Sequence, residues 1–132
     1  MILGIVNANR EATTQIVILG LGGAQHETAI EIEAIIDTGF TGFLTVPPAL
    51  IQRLALPWLC REPGLLADGS VENFDVHVAT VMWNGERRTI EVEAVESESL
   101  LGMGMLDRHS LLIEVEEGGS VAISPLPSPR PG

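Results

Sequence analysis

Tyrosine is absent from the chain, aromatic residues make up only 4% of it, and there is a single cysteine. With so few rings to fill it, a core has to be built from Ile, Val, Leu, Ala and Met, and the β-branched residues among these favour strands. Cys60 has no second thiol to meet, which excludes an internal disulfide and a multi-thiolate metal site. Its simplest role is that of a small core side chain. Positive charge is scarce too: seven basic residues stand against eighteen acidic ones, a formal net charge of -11. Such a chain repels phosphate backbones and anionic lipid, so neither nucleic-acid binding nor membrane adsorption is expected. No apolar run approaches the length of a membrane span. The opening Met1-Ile2-Leu3-Gly4-Ile5-Val6 is too short for a signal peptide and lacks a basic leader, so the expectation is a soluble, cytoplasmic protein.

What is present is ample for one core: 132 residues, 45% of them hydrophobic, too few for two ordinary domains. A single domain is expected over residues 1–124, followed by a disordered or extended tail, 125–132, with proline at every second position. Thr13 to Leu19 reads as a strand, Gly20 to Gln25 as a tight reversal, and His26 to Ile36 as the returning strand, wholly apolar at its end, where it carries Asp37 towards the centre of the domain. Phe43 to Val46 is a short buried strand, and Pro47-Pro48 opens a helix over about Ala49 to Ala55. Asp68-Gly69-Ser70 turns a hairpin between Leu65–Ala67 and Val71–Phe74, and Asn84-Gly85 turns another between Asp75–Trp83 and Arg88–Val95. After an apolar stretch, Leu100 to Leu106, comes a single helical turn at Asp107-Arg108-His109. The strands Leu111–Val115 and Val121–Ile123 follow. Many short strands, glycine-rich turns and one or two short helices define an all-β barrel or sandwich.

Asp37 stands between an apolar strand and a Thr-Gly turn, where an ionised carboxylate is costly unless paired or hydrogen-bonded. Taken alone, Asp37-Thr38-Gly39 also fits an Asx-type turn. The surrounding segment, Ala34-Ile35-Ile36-Asp37-Thr38-Gly39-Phe40-Thr41-Gly42-Phe43-Leu44-Thr45-Val46-Pro47, resembles the active-site loop of retropepsin-like aspartic proteases, most closely the small prokaryotic single-domain type. Leu100-Leu101-Gly102-Met103-Gly104-Met105-Leu106 is similar to the apolar segment that packs behind the catalytic loop in that family, and Asp68-Gly69-Ser70 falls where the flap belongs. The likeness spans roughly Thr13 to Ile123.

That resemblance implies a closed β-barrel of the acid-protease fold and an aspartic endopeptidase with no metal and no cofactor. Asp37 takes the catalytic position. Thr38 takes that of the hydroxyl linking two loops across a dimer axis, and Gly39 and Gly102 those of the glycines supporting the loop. Ala67, Asp68, Gly69 and Ser70 match the flap tip over an extended peptide or unfolded protein substrate. Two positions depart from the pattern. Phe40 puts a ring beside the site where Ala or Ser is usual, and Gly104 stands where relatives often carry Asp, which predicts a looser turn after it.

Two carboxylates held together share one proton, so that one acts as base on a water and the other as acid. This chain has one Asp-Thr-Gly, so the reading requires a homodimer. Other chemistries lack their spacing: His26, His77 and His109 are far apart, no serine sits in a Gly-x-Ser-x-Gly elbow, and Gly20-x-Gly22-Gly23 lacks the helix of a dinucleotide loop. Glu91, Glu93, Glu96 and Glu98 read as a solvated face. The rival from another class is a non-catalytic dimerisation or peptide-binding module on the same barrel.

Overall fold

The computed structural model describes residues 1–21 and 26–128. Ten strands and two short helices follow in the order β1 (Ile2–Val6), β2 (Ala12–Gly20), β3 (Thr28–Ile36), β4 (Leu44–Val46), α1 (Pro48–Arg53), β5 (Trp58–Leu65), β6 (Val71–Trp83), β7 (Glu86–Ala94), β8 (Ser99–Leu101), α2 (Met103–Leu106), β9 (His109–Ile113) and β10 (Ser120–Pro125). Neighbouring strands run β5-β6-β7-β4-β8-β3-β2-β1-β10-β9, and a further pairing of β6 with β2 closes β2, β6, β7, β4, β8 and β3 into a six-stranded barrel. The all-β closed barrel expected from the sequence is therefore the observed architecture. Among the described residues no helix is long and apolar enough to cross a membrane.

Aliphatic side chains fill the barrel: Ile16, Ile18, Ala34, Leu44, Val46, Val81, Val92, Leu101 and Met105 are buried, and Trp83 is the one aromatic among them. Each such side chain removed from water contributes roughly 1.5–3 kcal/mol. Helix α1 closes one end of the barrel, its Pro48 preset for the first turn and its Ile51 and the following Leu54 buried.

Local details differ from the sequence expectations. The helix ends at Arg53 rather than Ala55, because Ala55 sits at φ 51 and the chain turns back there. The expected helical turn at Asp107–His109 lies earlier, as α2: Arg108 takes φ 62, which no helix continues, and His109 already begins β9. Val71–Phe74 and Asp75–Trp83 are one thirteen-residue strand, β6, whose first half pairs with β5 and whose second half pairs with β7. The opening hexapeptide contributes β1, which is inserted between β2 and β10. Cys60 is half-buried on β5, not in the core. Strands β2 and β3 form the expected hairpin, and the glycines expected to turn it, Gly22 and Gly23, lie outside the described residues. Of the expected tail, Pro125 closes β10, the Leu126 N–H donates to the Arg108 carbonyl, and Arg108 donates to the Pro127 carbonyl. Residues 129–132 are outside those described.

Candidate active site

Strand β3 ends at Ile36 and hands the chain to a loop, residues 37–43, held from behind by the segment 101–104. Four backbone hydrogen bonds join them. Asp37 N–H donates to Leu101 O (2.9 Å), Gly102 N–H to Phe43 O (3.0 Å), Met103 N–H to Phe40 O (2.7 Å) and Gly104 N–H to Gly42 O (2.9 Å). The approach is too close for side chains. A Cβ on Gly102 would lie 2.4 Å from Gly42 O, and one on Gly104 would lie 2.9 Å from the same atom. Gly104 lets the first turn of α2 dock on the loop backbone. Just outside both segments, Thr45, buried in β4, ties β4 to β8, its Oγ1 accepting the Leu100 N–H at 2.8 Å.

Asp37 is half-exposed at the barrel rim, and Thr38 and Gly39 are exposed. The expectation that Asp37 lies at the centre of the domain is corrected: within one chain its surroundings include open solvent. Asp37 Oδ1 accepts the Gly39 N–H at 2.9 Å, the Asx turn that the tripeptide alone suggested. Asn7 and Asp68 make the same turn with Asn9 and Ser70. The turn does not therefore distinguish Asp37; the four backbone hydrogen bonds behind its loop do.

The loop separates two concave surfaces. On one side Asp37 and Thr38, with Ile35, Ile36, Ile113 and Val115, line a depression of about 500 Å³. On the other, Gly39 to Phe43 form the floor of a cleft of about 750 Å³. Leu100 belongs to both walls. The Phe40 ring lies over Gly42 and Gly102: Cβ atoms there would meet its Cζ at 2.5 Å and its Cδ2 at 2.6 Å. The unusual ring is accommodated by glycines beneath it and forms part of the cleft floor.

The roof of the cleft is the hairpin of β5 and β6. Before Val76, β6 has no partner but β5, so residues 61–75 form a two-stranded arm that projects from the barrel. At its tip Leu66 N–H donates to Ser70 O, Gly69 takes φ 86, and Asp68 Oδ1 accepts from both Ser70 N–H (2.9 Å) and Ser70 Oγ (2.6 Å). Those two bonds, the hydroxyl's foremost, hold the Asp68 carboxyl below its usual range. Ala67, Asp68, Gly69 and Ser70 are at the end of the arm, and the arm residues that line the cleft are instead residues 62–66 and Phe74. The Phe74 ring covers Gly64, whose Cβ would come within 2.5 Å of it.

One cleft residue was misread in the sequence. Glu91 and Glu93 both line the cleft; Glu91 is exposed as expected, but Glu93 is half-buried, not on a solvated face. Burial first, then repulsion from Glu62 and Glu91, pushes its carboxyl above the ordinary value. The signal was there in the register, since Glu93 lies opposite Val76 and Glu62 opposite Phe74, which puts all four on one face of the sheet.

A β-barrel closed by β6 on β2, with a Asp-Thr-Gly loop clamped from behind and a hairpin projecting over it, is the fold of retropepsin-like aspartic proteases. The chain is similar to a retropepsin-like aspartic protease from Rickettsia conorii of known crystal structure, with a TM-score of 0.57 and 17% sequence identity over 93% of this chain and 89% of that one. No family model and no curated protein matches the sequence.

Proposed function

We propose that the protein is an aspartic endopeptidase acting as a homodimer in the cytoplasm, with Asp37 from each of two copies forming the catalytic dyad. The observation that carries this reading is the position of Asp37: half-exposed on a loop whose backbone is tied down at four points, between a cleft and a second, smaller depression. A two-fold axis beside Thr38 brings two such loops together, with the depression around Ile36, Ile113 and Val115 against the second copy. The cleft then runs under both flaps.

In this arrangement the pair of carboxyls holds one proton between them, because two adjacent anions repel. The ionised member takes a proton from a bridging water while the water oxygen adds to the peptide carbonyl carbon, and the protonated member gives its proton to the carbonyl oxygen. Collapse of the tetrahedral intermediate breaks the carbon–nitrogen bond, a proton passes to the leaving amine, and the dyad regains its single proton. Backbone clamping holds the carboxylates in place so that little reorganisation accompanies the step.

Cleavage of an unfolded protein by the wild type and by Asp37→Asn is the test. Asparagine keeps an oxygen to accept the Gly39 N–H, so the loop and dimer persist, while cleavage falls on the order of a thousandfold or more. A folded wild-type dimer that cleaves nothing overturns the proposal in favour of a peptide-binding module, and a mutant that cleaves equally well overturns the role of Asp37.

A further inference from the structure

The cleft is a peptide-sized groove before its charge is considered: the loop forms its floor, the β5–β6 arm its roof, and its volume is about 750 Å³. Its ionisable lining is of one sign, with Glu62, Glu91 and Glu93 and no arginine. Past Phe74 and Val95, which border both, it adjoins a second concavity of about 780 Å³ with Glu72, Asp75, Glu96 and one base, His77, on its wall and again no arginine. Among the described residues the one ion pair is Arg87 with Glu27, on the outer surface, so none of the cleft carboxylates is neutralised by its own chain.

Glu93 makes this arrangement costly. It is half-buried, its Oε1 lies 3.4 Å from where a Cβ on Gly42 would be, and it shares a sheet face with Glu62 and Glu91, which repel it. Nothing in the barrel requires a carboxylate here, since the opposite face of β7 supplies the core residues Ile90 and Val92. A partly desolvated anion beside the floor of a groove is matched by a cation arriving with the occupant.

We infer that the cleft selects substrates carrying a lysine or arginine close to the scissile bond, with Glu93 as the principal specificity residue and Glu62 and Glu91 supporting it. This rests on the reading of the cleft as the substrate groove. The carboxylates do not make the site; they set the charge of one that the loop and arm already form.

The sites cut in an unfolded protein are first mapped by mass spectrometry, and peptides spanning one of them are then made with lysine or its uncharged isostere norleucine beside the cut bond. Wild type is expected to favour the lysine peptide by about tenfold in kcat/KM, equivalent to about 1.4 kcal/mol. In the Glu62→Gln, Glu91→Gln, Glu93→Gln triple variant the ratio falls to about one. Should the triple variant fail to fold, Glu93→Gln alone carries the same comparison. A wild-type ratio of about one, or a ratio unchanged by the substitutions, overturns the inference. If the wild type cuts neither a protein nor a peptide, the catalytic reading falls, and binding of fluorescent lysine and norleucine peptides decides this one separately: lysine preferred by wild type and not by the variant sustains it, while equal or absent binding overturns it.

Discussion

Phe40 occupies the space that a side chain on Gly42 would need, its Cζ 2.5 Å from the position of that missing Cβ. The two residues are complementary, and the ring is the movable partner. Gly42→Ala in the wild type is expected to cost about 1–3 kcal/mol in urea unfolding, from overpacking. In a Phe40→Ala background the same change should cost much less, a coupling of about 1 kcal/mol or more. Gly102→Ala is the contrasting case. Its Cβ meets Gly42 O and Phe40 O, both backbone atoms, so Phe40→Ala does not relieve it.

Thr45 ties the strand behind the loop to β4 through a buried hydroxyl that accepts the Leu100 N–H. Thr45→Val keeps the shape and leaves that donor unpaired, at an expected cost of about 1–3 kcal/mol. Because β8 also carries Leu101, the acceptor for Asp37 N–H, the variant should lose cleavage rate as well as stability. Measured at a temperature where both proteins are fully folded, a lower kcat with unchanged Tm would contradict the packing account.

Much of this architecture was legible because local rules and tertiary contacts agree. Period-two alternation marked β6 and β7, the Asp68-Gly69 and Asn84-Gly85 turns marked their hairpins, and an aromatic-poor composition marked an aliphatic core. Legibility failed where a distant partner decides the outcome. Residues 2–6 became a strand through pairing with β2 and β10, from the far end of the chain. Helix α2 formed at Met103 because Gly104 docks on Gly42, some sixty residues earlier. The alternation of Glu91 and Glu93 was visible, but which side of β7 faces water depends on the arm of β5 and β6 passing over it.

Glu93 predicts a pH dependence of stability. Its carboxyl is raised from the ordinary 4.5, by burial first and then by Glu62 and Glu91, so between 4.5 and the raised value the folded state holds more proton than the unfolded state. Stability contributed by this residue therefore falls as pH rises through that window and is lowest above it. Glu93→Gln should be more stable than the wild type at neutral pH. That advantage should shrink on acidification and vanish below the ordinary carboxylate range. Urea unfolding from pH 7.5 downwards checks this, and a constant difference at every pH would contradict it.

The flap tip offers a purely conformational test. Gly69 holds φ 86 with nothing within 4 Å of a would-be Cβ, so Gly69→Ala meets no clash and only the cost of a left-handed backbone, about 1–2 kcal/mol. Since the residues of β6 before Val76 pair with β5 alone, that cost should fall on the arm and not on the barrel. The expected result is faster amide exchange across residues 62–74, an unchanged global unfolding midpoint and a raised KM for peptides. A shifted midpoint would mean that the arm and barrel unfold together.

A dyad built from two chains has a signature that no single-chain site shares. When wild type is mixed and re-equilibrated with Asp37→Asn, each active dimer needs two wild-type partners, and random pairing makes the active fraction fall with the square of the wild-type share. Activity per wild-type chain should therefore drop in proportion to that share, although the amount of wild type is fixed. If each chain carried its own complete site, activity per wild-type chain would stay constant. Dilution provides the matching control: specific activity should fall as the dimer dissociates, with the same midpoint as the oligomeric state measured by sedimentation. Agreement of the two midpoints ties turnover to the dimer, and activity that survives in the monomer would place the chemistry outside the pair of Asp37 carboxyls.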